Sequence, residues 1–404
     1  MFLAGSLLLA AGLLTAQDET DAESEPKSYW ADLTDGTIDL FEDDDNPVVQ
    51  RVRLSGRLHG QLADLKGDDA RNRDFEERFE EFRRLRLEVE IDLLDFASLE
   101  VGADLVDDER FRPLSNRRTF GYQNLSDAYL SIDLENALDL DWVDDLDLQV
   151  GRQKVGVGFE RDQSSNEILT VERSSLAEKL GGEVRRPTGA LMEVEKSDFT
   201  LAFGYFSTTP ADELAALEGD GFYYTRLQYE PSKAWTFFAD WTRSEANGPG
   251  RVKQGYAWAT TLNIIYERKR HGFALMMARG NNGDARFSDI RTRRQGEFSG
   301  AVVAPWFWLK KDYLQLVAQG QWQQSDQSEG IRVSSRYLRQ IDDLPGLDVE
   351  NGYGDDHRAL YVGLNYHPWA GDSRLMFGIS RDILETVRQP VESVTQWAAF
   401  RAVF

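Results

Sequence analysis

The feature that most constrains this chain is an alternation of apolar and polar residues that begins near Arg51 and recurs to the C-terminus. In the segment RRLRLEVEIDLL, every second residue from Leu85 to Leu93 is aliphatic and every residue between is charged. Successive side chains of a strand point to opposite faces, so such a segment has one apolar and one charged face. No run of eighteen apolar residues argues for a transmembrane helix, whereas strands of a membrane barrel are only moderately hydrophobic. The pattern therefore predicts an all-β membrane protein.

Sixteen segments carry this alternation, and an even number is expected of a bacterial outer-membrane barrel. The predicted strands lie near 51–62, 84–93, 99–105, 125–134, 146–155, 187–196, 198–206, 221–230, 234–244, 256–267, 272–279, 297–309, 312–323, 357–367, 373–382 and 394–404. Short connections alternate with long ones, which include 63–82, 207–220, 280–296 and 324–356. We therefore predict a sixteen-stranded antiparallel transmembrane β-barrel with short periplasmic turns and long extracellular loops, in the outer membrane of a Gram-negative-type bacterium.

The N-terminal part of the chain differs in composition from the rest. Residues 1–16 contain a short apolar run and a small-residue end, which predicts a secretory signal peptide. No basic residue follows Met1, and the sequence leaves open whether the true start lies upstream. Residues 17–48 are acidic and lack sustained periodicity, so we predict a flexible periplasmic leader there. The barrel domain is predicted to span 49–404.

Composition excludes several function classes. The formal net charge of −24 makes nucleic acid an unsuitable partner, because phosphate binding needs clustered lysine and arginine. The chain has no cysteine, so disulfides and thiolate chemistry are excluded. Its four histidines lack metal-ligand spacing, and no G-x-S-x-G elbow or phosphate-binding glycine loop is present. We therefore predict a protein that is not an enzyme and that needs no cofactor or metal.

One stretch departs from the strand pattern. Residues 148–180 read LQVGRQKVGVGFERDQSSNEILTVERSSLAEKL: a strand, then a long polar loop. This stretch resembles the strand and constriction loop of the phosphate-selective porin O and P family, and the upstream segments 83–94 and 125–134 resemble strands of that family. The residues that carry the resemblance are Val150, Gly151 and Lys154, then Ser164, Ser165 and Asn166, then Glu172, Arg173 and Ser174. Where the family commonly has a proline-containing run, this chain has Val-Gly-Val-Gly at 155–158.

The resemblance implies that residues near 157–185 fold into the barrel and narrow it. The apolar residues of this loop also favour inward folding, since they could pack on the barrel wall while Arg161, Arg173 and Lys179 face the solute. Together with basic residues of the first two strands they form our candidate pore-lining set: Arg53, Arg57, Arg84, Arg86, Lys154, Arg161, Arg173 and Lys179. Rings of arginine and lysine select anions in pores. Acidic residues face inward in the same register, however, and a solvated charged wall is the alternative for each basic residue.

The predicted function is passive diffusion of small hydrophilic solutes through an outer-membrane porin, with the anion or phosphate preference that the resemblance suggests. The alternatives are a sugar- or carboxylate-preferring porin, and a closed barrel that acts as an envelope tether or adhesin. Membrane lipids and solutes are the expected partners, and the resemblance implies a homotrimer. The terminal Phe404, at the end of an alternating segment, resembles the signal read by the barrel-assembly machinery.

Overall fold

The computed structural model describes residues 37–106, 120–182, 186–207, 214, 221–245, 255–283, 295–368 and 373–404. The predicted signal peptide and most of the predicted leader lie outside these residues.

Within the described residues, sixteen strands form one antiparallel sheet that closes on itself, as predicted. Each strand pairs with the barrel strands before and after it, and β19 pairs with β2 to close the barrel. The barrel strands are β2 (Val49–Asp68), β3 (Asp74–Leu93), β4 (Ala97–Val106), β5 (Phe120–Asp133), β6 (Asp145–Arg152), β7 (Thr188–Lys196), β8 (Phe199–Ser207), β9 (Gly221–Ser232), β10 (Trp235–Ser244), β11 (Trp258–Arg268), β12 (His271–Asn281), β13 (Glu297–Lys310), β14 (Leu314–Ser325), β17 (Asp356–Tyr366), β18 (Arg374–Glu385) and β19 (Val391–Val403).

The remaining elements are short. Strand β1 (Ile38–Glu42) pairs with the start of β2, although the sequence assigned residues 38–42 to the flexible leader. Strands β15 (Ile331–Arg332) and β16 (Tyr353–Gly354) form a separate pair, and the helices are α1 (Leu134–Leu138), α2 (Phe159–Asp162), α3 (Ser175–Leu180), α4 (Arg336–Gln340) and two 3₁₀ turns at 341–343 and 350–352. No helix among the described residues is long and apolar enough to cross a membrane.

The faces of the strands follow the predicted alternation. Leu87 and Val362 are exposed on the outer surface, whereas Arg86 and Asp127 are buried on the inner one. At the short turn after β3, Leu94 and Asp95 both adopt positive φ. This is the backbone shape that matches the twist of a tight hairpin.

The connection predicted for residues 63–82 is wrong in extent. Strands β2 and β3 run on through most of it, and only residues 69–73 form the turn. The register shifts between His59 and Gly60, which leaves Arg83 as the extra residue of a bulge in β3. A bulge of one residue reverses which side chains face inward. The alternation read from Leu85 to Leu93 therefore does not continue into residues 74–82, on the N-terminal side of the bulge.

Candidate functional site

The segment 153–182, here called the inner loop, leaves β6 and lies inside the barrel. The Gly158 amide donates to Asp240 Oδ2 on β10 at 2.7 Å, and the Phe159 amide donates to Asn263 Oδ1 on β11 at 3.1 Å. Asn365 Nδ2 on β17 donates to the Leu169 carbonyl at 2.9 Å. These strands lie around much of the circumference, so the inner loop crosses the lumen.

Gly158 allows the inner loop to turn toward the wall. Its φ is +77°, in the region that favours glycine. A Cβ at this position would also lie 2.3 Å from Met276 Sδ on the inner face of β12. Any larger residue would therefore push the loop away from the wall at the point where it docks.

The inner loop packs through apolar side chains. Val157, Phe159, Leu176 and Leu180 are at most 2% exposed and belong to one continuous buried cluster. The wall contributes inward-facing residues of β8 to β14 to this cluster: Phe206, Phe222, Phe238, Met276, Val302 and Val317. The inner face of these strands therefore carries apolar residues between polar ones such as Asp240 and Asn263, and is not polar throughout as a simple barrel pattern predicts. The inner loop removes this surface from water, which stabilises the docked position.

A buried carboxylate fixes the middle of the inner loop. Glu160 is 2% exposed and accepts hydrogen bonds from the Ser174 amide at 3.0 Å, from the Ser174 hydroxyl and from Gln319 Nε2 at 2.9 Å. Burial raises the pKa of Glu160 above its ordinary value. Ser174 also accepts a hydrogen bond from the Ala177 amide as the N-cap of α3. The Glu160 carboxylate therefore links the start of α3 to Gln319 on β14.

Two buried arginines from the end of the barrel hold the loop's carbonyl groups. Arg401 donates to the carbonyls of Ile168 at 2.7 Å, Thr170 at 2.9 Å and Val171 at 3.1 Å. Arg374 also donates to the Ile168 carbonyl, at 2.6 Å. Sequence reasoning missed both arginines, because each faces inward on a strand whose partner in the loop lies some 200 residues away in the chain.

The candidate arginines on the first two barrel strands lie among acidic and polar neighbours. Arg53 Nη2 lies 2.6 Å from Glu90, and Arg86 Nε lies 2.8 Å from Asp104. Arg57 pairs with Glu88 and also donates to the hydroxyls of Ser164 and Ser165, each at 3.3 Å, so it joins the wall to the inner loop. Arg84 lies 3.4 Å from the ring of the buried His59.

Three basic residues of the inner loop are buried, which corrects the expectation that they face the solute. Arg173 is 8% exposed and donates to the carbonyls of Glu160 at 2.6 Å and Gln163 at 2.9 Å. Arg161 lies 3.5 Å from Glu178, and Lys179 donates to the carbonyl of Gly255. Buried cations need partners, and the loop's own carbonyl and carboxylate groups supply them.

Lys154 is the most accessible basic residue of the inner loop, being half-buried. Its Nζ donates to the Asp162 carbonyl at 2.7 Å and weakly to the Gln163 carbonyl at 3.4 Å. Burial, and then the nearby Arg173, lower the pKa of Lys154 to about 8. Lys154 and Arg57 therefore place two cationic groups around residues 162–165, where Asp162 is exposed.

The wall of β3 to β7 remains charged and predominantly acidic on its inner face. The inward-facing carboxylates are those of Glu88, Glu90, Asp92, Glu100, Asp104, Asp127, Asp147 and Glu193. Among the described residues, Glu88, Glu100 and Asp127 bring three carboxylate oxygens within 4.8 Å of one another, a spacing that a metal ion could use. Asp127 already pairs with Arg186 at 2.9 Å, and Glu88 with Arg57, so arginines provide this cluster's counter-charge.

A second segment, 326–355, also folds inward, although the sequence predicted only a long extracellular loop. Tyr337 stacks on Phe79 with ring centroids 4.8 Å apart, and Arg336 pairs with Glu81 at 2.9 Å. Ser334 Oγ and Ser175 Oγ are 3.1 Å apart, which joins this segment to the inner loop. Apolar residues at helical spacing, Tyr337, Leu338 and Ile341, were the signal that could have revealed it.

Comparisons with known proteins agree with this geometry. Residues 52–241 match the family model of phosphate-selective porin O and P. Three similar solved structures each align over 87% of this chain. An anion-selective porin from Comamonas acidovorans is 10% identical, with 99% of its chain covered and a TM-score of 0.54. Pseudomonas putida OprB at high pH is 11% identical (94% covered, TM-score 0.53), and the trimer form of Vibrio cholerae OmpT is 10% identical (98% covered, TM-score 0.52). A search of curated proteins gave no match. At these identities the solved structures show the fold alone.

Proposed function

We propose that small hydrophilic solutes diffuse passively between the inner loop and the charged wall of β2 to β7, because residues 52–241 match the family model of phosphate-selective porin O and P and the strands close into a barrel. The observation that carries the proposal is the one-sided packing of the inner loop. It covers the apolar residues on the inner faces of β8 to β14 and leaves the charged wall next to the polar tip at 162–165. The protein acts as a channel and catalyses no reaction.

Anion preference is the finer part of the proposal. It is supported by Arg57 and Lys154, whose cationic groups both reach residues 162–165. The acidic wall of β3 to β7 opposes it, because carboxylates attract cations into a narrow passage. We therefore propose a modest preference for anions over cations. Selectivity for phosphate, which the family name suggests, would be the strongest form of this preference.

The alternatives differ in what lines the passage. Sugar-preferring sites usually need aromatic surfaces, and the one aromatic residue of the inner loop, Phe159, is 2% exposed. The inner loop thus offers little support for a sugar-preferring porin, whereas the cationic groups are compatible with carboxylate solutes. A closed barrel acting as a tether would show no conductance in planar bilayers.

The assembly of the protein belongs to the same proposal. We propose a homotrimer, which is also the form of the Vibrio cholerae OmpT structure, and cross-linking in membranes tests this oligomeric state.

We also propose that Phe404 is read by the barrel-assembly machinery. In the folded barrel its backbone pairs with Gly56 on β2, with N–O distances of 2.6 and 3.0 Å.

Single-channel recording after shortening the inner loop tests the proposed passage. Deletion of about ten residues around Ile168 removes the segment that Arg374 and Arg401 hold, while Phe159 and α3 stay to cover the apolar wall. We expect conductance to rise severalfold in a folded barrel. Unchanged conductance in a folded channel would show that the narrowest section lies elsewhere, and the segment 326–355 would then be the first region to shorten.

A further inference from the structure

An exposed arginine lies on the outer surface of the barrel, away from the proposed passage. Arg243 is at the end of β10, between the buried Thr242 and Ser244, which face inward. Within the described part of the chain, Arg243 has no ion pair or hydrogen bond, whereas Arg279 on the same outer face pairs with Glu297 at 2.6 Å. An exposed guanidinium without a carboxylate is free to bind an anion.

Aromatic side chains flank Arg243 on both neighbouring strands. Its cross-strand partners are Tyr223 on β9 and Trp258 on β11, and Trp241 lies two residues before it on the same face. These residues line an open groove of about 830 Å³ together with Glu245. The groove is large enough for more than one sugar ring.

Glu245 gives the groove a second polar function. Its carboxylate accepts hydrogen bonds from the Tyr205 hydroxyl at 3.0 Å and the Tyr223 hydroxyl at 2.8 Å. Hydroxyl donors therefore already satisfy part of this carboxylate, and further hydroxyl groups suit its remaining lone pairs. Glu245 would repel a bare anion, whereas a ligand whose phosphate is attached to a hydroxyl-rich sugar can offset this repulsion by donating its hydroxyl groups to Glu245.

The groove lies where the lipid-facing surface ends. Further down the same strands the outward residues are apolar, such as Leu227 and Leu262, both more than half exposed. The groove is at the end of β10 that leads into the long connection to β11, which is the extracellular side. Tryptophan and tyrosine are typical of this interface, and an acyl chain below the groove would contact the apolar surface.

From these contacts we propose that the groove binds a phosphorylated glycolipid of the outer leaflet. Its phosphate contacts Arg243, its sugar hydroxyls contact Glu245, a sugar face packs on Trp241 or Trp258, and its acyl chains follow the outer surface of β9 to β11. The site is independent of solute passage, since all of these side chains are outside the barrel.

Native mass spectrometry of the detergent-purified barrel with added diphosphorylated lipid A tests the proposal. We expect Arg243→Gln to reduce the bound fraction at least fivefold, while the matched variant Arg279→Gln leaves it unchanged. Lipid A stripped of both phosphates should bind wild type as weakly as intact lipid A binds Arg243→Gln. Heat-modifiable electrophoresis establishes whether each variant is folded. If Arg243→Gln does not fold, Trp258→Leu replaces it, and we expect this variant to reduce binding as well. Equal binding by wild type and the groove variants, or equal binding of the two lipids, would overturn the proposal.

Discussion

Among single residues, Lys154 best illustrates how the inner loop determines the chemistry of a side chain. A lysine on a solvated loop would keep its charge well above neutral pH. Here burial lowers the pKa of Lys154 to about 8, and Asp162 contributes its backbone carbonyl as the acceptor at 2.7 Å. Because the unfolded chain binds a proton more tightly than the folded one, the stability contributed by this group rises with pH from about 8 up to the ordinary lysine pKa of 10.5 and then stays constant.

We predict that ion selectivity changes near pH 8. As Lys154 loses its proton, the passage loses a positive charge, so the ratio of anion to cation permeability should fall between pH 7 and 9. Reversal potentials in a salt gradient measure this ratio. In Lys154→Arg, which stays charged across this range, the change should be absent. An identical pH dependence in this variant would assign the titration to another group.

Arg173 leads to a different expectation from the one that its sequence position suggests. If Arg173 faced the solute, as the sequence predicted, Arg173→Glu would shift selectivity toward cations in an intact channel. In the structure its guanidinium donates to two loop carbonyls, so a glutamate there would face carbonyl oxygens without donors. Such a substitution disrupts the loop itself and is unsuitable as a test of selectivity.

At the scale of elements, the inner loop is held by a few polar anchors as well as by apolar packing. The Arg401 guanidinium donates to the carbonyls of Ile168, Thr170 and Val171, and Arg374 shares only the first of these. Each buried carbonyl left unpaired costs about 1–3 kcal/mol. The segment 166–171 should therefore be the part of the loop most sensitive to changes on the wall.

We predict that Arg401→Met loosens this segment without opening the barrel. Single-channel records should show higher conductance and more frequent current fluctuations, and hydrogen exchange of residues 166–171 should become faster. Arg381→Gln is the matched control, because Arg381 on the neighbouring strand is exposed and pairs with Glu392 on the outer surface. If both variants behave like wild type, the donors of Arg401 are not needed to hold the segment 166–171.

At the scale of the whole molecule, closure of the barrel separates an outer surface facing lipid from an inner surface facing the inner loop and solutes. Residues 38–42 add a short strand beside β2 where β19 has ended. Phe404 packs close to Gly56, where a Cβ would lie 2.4 Å from the ring. The two ends of the described chain thus meet at the first barrel strand.

We predict that labelling of single cysteines in membranes follows this division. The chain has no cysteine, so each variant reports on one position. Leu87→Cys and Val362→Cys should be protected by lipid. Tyr129 on β5 faces inward and donates its hydroxyl to Glu100 at 2.7 Å, so Tyr129→Cys should react with a small membrane-impermeant thiol reagent through the water-filled passage. Uniform labelling of all three positions would contradict the assignment of the strand faces.

The sequence by itself determined the sixteen strands, their antiparallel order and most of their outward faces. It could do so because a period of two is a local property that each segment carries independently, as Leu85 to Leu93 shows. The inward position of the inner loop was also predictable, since its apolar residues had no other surface to cover. The sequence also placed Arg57 and Lys154 in the candidate pore-lining set, Arg57 from the alternation of its strand and Lys154 from its position in the segment that resembles the family.

Only the tertiary structure decided which charged side chains meet. The bulge at Arg83 reverses the inward face of β3, and no local pattern announces it. Arg401 binds the carbonyl of Ile168, 233 residues away, and the 326–355 segment reaches Phe79 only because the closed barrel brings β3 and β14 to the same mouth. Pairings of this kind depend on the register of the whole closed sheet, so they become defined only when all sixteen strands are in place.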